Sequence, residues 1–123
     1  MTLDEIRALA LEQPGAWEDT PFGPEALVYK VGPKMFALIA WQEIPLTISL
    51  KCHPQHALAL RDHYRGVQPG YHLNKKHWIT VEVNRDVPDD EVRALIAGSY
   101  ALVEKGLTPA QRAQVAAQTD SAP

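Results

Sequence analysis

The sequence predicts an α+β fold: a two-layer sandwich with an antiparallel five-stranded sheet and helices on one face, in the order α-β-β-β-α-β-β-α. Two patterns carry this prediction. Apolar residues recur at helical spacing near both ends of the chain, after capping signals. Between them, short apolar or alternating segments are joined by tight connections, which implies an antiparallel sheet.

Each element has a local cause. Thr2 and Glu5 form a T-x-x-E capping box, and Leu3, Ile6, Leu9 and Ala10 follow at helical spacing until Pro14-Gly15 stops the helix. WEDTPFGPE, residues 17–25, reads as a loop because turn-formers interrupt it. ALVYKV (26–31) and MFALIAW (35–41) read as strands around a Gly32-Pro33 turn. LTISLK (46–51) alternates, with Leu46, Ile48 and Leu50 facing one way and Thr47, Ser49 and Lys51 the other. Pro54 suits the first turn of a helix over 54–65. Residues 66–70 are a Gly-Pro connection, and 71–84 give a short strand and then a longer one. On the longer strand Ile79, Val81 and Val83 share one face, and Trp78, Thr80 and Glu82 the other. Asp89, Asp90 and Glu91 complement the positive end of a helix carrying Val92, Leu95, Ile96 and Val103, which Gly106 ends. Thr108 to Gln111 is a second capping box, opening a short final helix. The reading is a single domain over 1–118 with a flexible tail at 119–123.

Length and composition bound the function. A chain of 123 residues with 46% hydrophobic and 22% charged residues can bury a core without disulfide or metal. The single cysteine, Cys52, leaves no intrachain disulfide and fits a reducing compartment. The N-terminal MTLDEIRALALEQPG has early acids and no long apolar run, unlike a secretory signal, and no stretch is long and apolar enough for a spanning helix. The expectation is a cytoplasmic monomer that makes no membrane contact. Net charge is −3, but residues 51–78 carry Lys51, Arg61, Arg65, Lys75 and Lys76 against Asp62 alone, with all five histidines. For a polyanionic partner the local sign matters more than the total.

Catalytic signatures are missing. There is no G-x-S-x-G, and Cys52 beside His53 lacks a third orienting group. Cys52/His56 and His72/His77 do not have the spacing of established zinc motifs. Glu18 and Asp19, near Glu25, fall in the expected loop, where acids are usually solvated. No enzyme, metal or cofactor is expected. What remains is PGYHLNKKHW, residues 69–78, with two lysines between aromatic rings. Lysines at a hairpin commonly guard a sheet edge. Cations beside a ring also suit phosphate contact with base or sugar stacking.

PGYHLNKKHW resembles the signature of the MmcQ/YjbR family, small bacterial proteins often labelled DNA-binding. Similar blocks are PFGPEALVYKVGPKMFAL (21–38), SLKCHPQHALALRDHYRGVQPGYH (49–72) and IAGSYALV (96–103), where Ser99 and Tyr100 match an SY pair. The resemblance implies an α+β fold related in outline to CyaY/frataxin-like and secretion-chaperone-like domains. It also implies a double-wing mode of DNA binding through basic hairpins. Pro21, Phe22 and Gly23 fall on the first block, and Lys30, Lys34 and Phe36 on the first hairpin. The expected nucleic-acid contacts are Asn74, Lys75, Lys76, His77 and Trp78, with Tyr71, His72, Lys34 and Lys51. Two alternatives stand beside DNA binding: a protein- or peptide-binding adaptor on an exposed sheet face, and a small anion pocket around Tyr71, His72, Lys76 and Trp78.

Overall fold

The computed structural model describes residues 1–120, the last two by backbone alone. Ten elements follow one another: α1 (Leu3–Leu11), β1 (Ala16–Asp19), β2 (Leu27–Val31), β3 (Lys34–Ala40), β4 (Thr47–Lys51), α2 (Pro54–His63), β5 (Val67–Pro69), β6 (Trp78–Glu82), α3 (Asp89–Lys105) and α4 (Pro109–Asp120). The strands form one antiparallel sheet in the order β1-β2-β3-β4-β6-β5. The α+β class and the single helical layer stand as expected.

The sheet has six strands, one more than the pattern of the sequence gave away. The additional strand, β1, lies in the segment read as a loop. Turn-formers begin only after Asp19, and the charges of Glu18 and Asp19 mask a strand that sits at a sheet edge, where charge is tolerated. Glu18 accepts hydrogen bonds from Arg7 Nε at 3.0 Å and from the buried Tyr29 hydroxyl at 2.6 Å, tying α1 to the sheet. Asp19 accepts from Lys30 Nζ at 2.9 Å, and Lys30 lies 5.1 Å from the Trp17 ring centre. The short strand before β6 is also displaced. It is formed by Val67–Pro69, with the proline at the opposite sheet edge, while 71–77 form no strand. The final helix runs twelve residues, so 119 and 120 are helical instead of tail; 121–123 lie outside the described residues.

The core joins Ile6, Leu9 and Ala10 of α1, Ala57 and Leu60 of α2, and Val92, Leu95, Ile96 and Val103 of α3 to one sheet face. That face carries Tyr29, Ile39, Ile48, Leu50, Ile79 and Val81. Alternation along β4 and β6 is as expected, with Ser49, Lys51, Trp78 and Thr80 on the helix-free side. The β2–β3 register skips Phe36, a bulge that turns both Phe36 and Ala37 into the core. The β3–β4 ladder ends at Ala37 and Leu50, and a helix side chain takes over where the next rung would fall. Ser99 Oγ donates to Phe36 O at 2.5 Å and accepts from the Lys51 N–H at 2.8 Å. Its neighbour Tyr100 meets Phe36 edge-on at 5.4 Å and donates its hydroxyl to Pro14 O. The SY pair is therefore a seam between α3, the bulge and the end of α1.

Two outcomes are expected. Ser99→Ala leaves the Phe36 carbonyl and the Lys51 N–H without their partner, and should cost about 1–3 kcal/mol in urea unfolding; an unchanged midpoint would contradict the seam. Hydrogen bonds from Arg7, then Tyr29, hold the Glu18 carboxyl below its ordinary value of 4.5. Its contribution to stability is complete above that value and is lost as pH falls through the lower folded-state value. Glu18→Gln should lower stability at neutral pH and flatten the acid limb of a pH-stability curve.

Candidate functional site

The strands define two ends of the molecule. At one, β2 gives way to β3, β4 ends, β5 ends and β6 begins; α3 also terminates there, because Lys34 Nζ donates to Gly106 O at 2.8 Å. This end gathers Lys34, Lys51, Lys75, Lys76, Lys105 and Arg112 against Glu12 and Glu104, and Glu104 is paired with Arg112. The opposite end carries Glu25, Glu43, Glu82, Asp86 and the acids that open α3, against Arg65 and Arg85, the latter paired with Glu82. Charge is thus segregated along the strand direction, which the net charge of −3 conceals. Arg61, in the last turn of α2, and Arg65 are the exceptions within the basic block of the sequence. Arg65 precedes β5 at the acidic end, with its N–H on Asp86.

The signature segment does not project from the basic end as a free hairpin. It folds back across the helix-free sheet face. Gly70 N–H bonds Trp78 O at 2.9 Å, and a Cβ at Gly70 would stand 2.7 Å from Trp78 Cβ, so only glycine allows this approach. The Tyr71 N–H then donates to Thr80 Oγ1 at 3.0 Å, and that hydroxyl shares a 2.8 Å hydrogen bond with Ser49 Oγ. Ser49 and Thr80 are buried although no helix covers them. His72 takes a left-handed turn, φ 58°. Asn74 Oδ1 accepts from the Lys76 and His77 N–H groups at 2.9 and 3.2 Å, and its carbonyl accepts from Trp78 N–H at 2.9 Å. The chain rejoins the sheet where His77 O accepts from Cys52 N–H at 2.8 Å.

The expected site residues divide accordingly. Asn74 shapes the turn with its own side chain. Lys75 Nζ donates to Gly70 O at 3.3 Å, and Lys34 caps α3, both at the basic end. Lys76 is exposed, and His77 is half-buried. Trp78 is half-buried on the helix-free face, directly across from Lys51. The other two tryptophans spend their indole N–H on Gly32 O and Pro24 O. Tyr71 and His72 point elsewhere: they line a cleft of about 310 Å³ with Phe22, Glu25, Leu38, Glu43 and Leu73. Of the four residues of the anion-pocket alternative, Tyr71 and His72 line this cleft and Lys76 and Trp78 do not.

The remaining candidates are structural. Burial pushes the Cys52 thiol up, away from the thiolate form, while His53 is exposed. Glu18 and Asp19, expected as solvated loop acids, are strand residues with ion-pair partners. Among the described residues, no three His, Cys, Asp or Glu side chains are placed to hold a metal, and no helix is long and apolar enough to cross a membrane.

A six-stranded antiparallel sheet with one helical layer, its free face crossed by a glycine-anchored loop, defines a class of small α+β domain. The chain belongs to the YjbR family, whose model matches residues 11–102. It is 39% identical to the protein YbdF of Escherichia coli O157:H7, covering 91% of this chain and 92% of that one. It is 34% identical to YjbR of Escherichia coli K12 over 81% and 85% of the two chains. The crystal structure of Deinococcus radiodurans DR2400, a DUF419 domain, superposes with a TM-score of 0.85 at 42% identity, covering 94% of this chain and 88% of that one. A Pseudomonas syringae protein gives 0.73 at 29% identity, over 83% and 98%.

The Ser49–Thr80 pair is the feature sequence reasoning missed. Its only signal was two small hydroxyl residues on the polar side of alternating strands. Thr80→Val should release the Tyr71 N–H and leave Ser49 unpaired. Amide hydrogen exchange at Tyr71 to Asn74 should accelerate at least tenfold while α3 stays protected; unchanged protection would show that the clamp does not hold the loop.

Proposed function

We propose that this chain binds nucleic acid weakly and without sequence readout, through phosphate contacts at its basic end. What supports the reading above all is the pairing of Lys51 and Trp78 as cross-strand neighbours on the helix-free face. The two residues stand in register across the β4–β6 ladder, and Lys75 and Lys76 precede Trp78 in the 70–77 loop. In this reading Lys51, Lys75 and Lys76 contact phosphates, and Trp78 offers its exposed part to a sugar or base. The two wings are the β2–β3 tip, with Lys34, and the 70–77 loop, both at the same end of the sheet.

The fold also limits the binding mode. The exposed side of α2 is mixed, and α3 begins with three acids. Neither offers the basic helix that a major-groove reader needs. Three or four phosphate contacts would give affinities of roughly 10⁻⁴ to 10⁻⁶ M at physiological salt, the range of non-specific binding. Opposite charge at the two ends favours one orientation on the polyanion, with the acidic end turned away.

Fluorescence anisotropy with a labelled random duplex, at several salt concentrations, tests the proposal. The expected slope of log K against log salt is about −3, from about −0.9 per phosphate contacted. Lys51→Ala with Lys76→Ala should weaken binding and reduce the slope by about 2. Absence of saturable binding at low salt, or a double variant that binds like the parent, would remove the proposal.

A further inference from the structure

The cleft on the helix-free face has the opposite character from the basic end. Leu38 and Ala40 of β3 form its floor, and Ala26 and Leu73 add apolar wall. Phe22 and Tyr71 line it from the two signature loops, yet remain 64% and 63% exposed. Large rings left this open are unusual unless something covers them. Glu25, Glu43 and His72, all exposed, complete the lining, and neither carboxylate has a hydrogen-bonded or ion-paired partner among the described residues. No lysine or arginine lines the cleft. Its volume of about 310 Å³ falls at the small end of ligand pockets.

These features select a ligand. An anion would meet two carboxylates, with a single imidazole, His72, to set against them. A neutral apolar molecule would use the floor and leave the acids idle. A small organic cation with an apolar body suits this lining best: its body lies on Leu38, Ala40 and Leu73, and its charge meets Glu25, Glu43 and the rings of Phe22 and Tyr71, the latter packed against His72 at 4.0 Å. We infer that the cleft between the 20–26 and 71–73 loops is a binding site for a small organic cation of the alkyl- or aryl-ammonium class. The site is separate from the basic end, because Lys51, Lys76 and Trp78 take no part in it.

The inference is tested by NMR titration of the full chain with benzyltrimethylammonium, and in parallel with 3-phenylpropionate, which has a similar body and the opposite charge. Saturable shifts are expected for the cation, confined to amides around Phe22, Leu38 and Tyr71 to Leu73. 3-Phenylpropionate should bind at least tenfold more weakly. Glu25→Gln with Glu43→Gln, both at exposed positions that should tolerate the change, should weaken the cation about three- to tenfold, the size expected for two exposed charge contacts. The Lys51→Ala/Lys76→Ala protein should bind the cation normally, whatever its behaviour with DNA. Equal binding of the two probes, shifts unaffected by the glutamine pair, or no saturable shift with the cation would each overturn the assignment. Shifts produced by a lysine-containing peptide but by neither small probe would overturn it in favour of a peptide partner.

Discussion

Helices cover only one face of this six-stranded sheet, so every second side chain of its strands must find another cover or stay wet. In the middle of the uncovered face the chain solves this with its own loop. Gly70 brings the backbone down onto Trp78, and the Tyr71 N–H finds the Thr80 hydroxyl. The Ser49–Thr80 hydrogen bond is thereby sealed from solvent and, in turn, holds the loop that seals it. Burying two hydroxyls is tolerable only because each has a partner. The positions of the cleft, the exposed edge of Trp78 and the cationic turn all follow from that one fold-back. The loop separates them, with Tyr71 to Leu73 on the cleft side and Lys75 to Trp78 on the other.

The same loop explains how far the sequence could be read. Parity along β4 and β6 placed Trp78 opposite Ile79, Val81 and Val83 correctly, because a period of two depends only on neighbours in the chain. The capping boxes at Thr2 and Thr108 are likewise local, and both close as reciprocal hydrogen bonds. β1 was not legible. Its stability comes from Arg7, Tyr29 and Lys30, which a reading of AWED alone cannot supply. The burial of Ser49 and Thr80 was hidden for a similar reason, since the covering residues lie on a loop whose path no periodicity encodes. Within the site, the basic character of 51–78 was visible as composition. Which of its cations share an end was settled by the path of the chain, which sets Arg61 and Arg65 apart from Lys51, Lys75 and Lys76.

Charge polarity has a similarly simple origin. α3 runs from the acidic to the basic end, with Asp89, Asp90 and Glu91 in its first turn and Lys105 in its last, each matched to the helix dipole. Lys34 adds a direct hydrogen bond to the carbonyl of the capping residue Gly106. Part of what makes one end basic is therefore ordinary helix capping. Lys51 and Lys76 are different, because neither caps nor pairs with anything in the described chain, and their charge is available to a partner. A molecule can be acidic in total and still present a cationic end when its charges are sorted between the two ends of one sheet.

The Ser99 hydroxyl has a further consequence for how the molecule comes apart. It stands as a rung between Phe36 and Lys51, yet it belongs to α3. The helix cannot lift away as an independent shutter over the core, since its departure also unzips the end of the β3–β4 ladder. Helix and sheet are bound into one cooperative unit, and opening either exposes both. The loop on the other face has no such link to the helical layer. Its motions can be frequent and shallow while the scaffold beneath it stays shut.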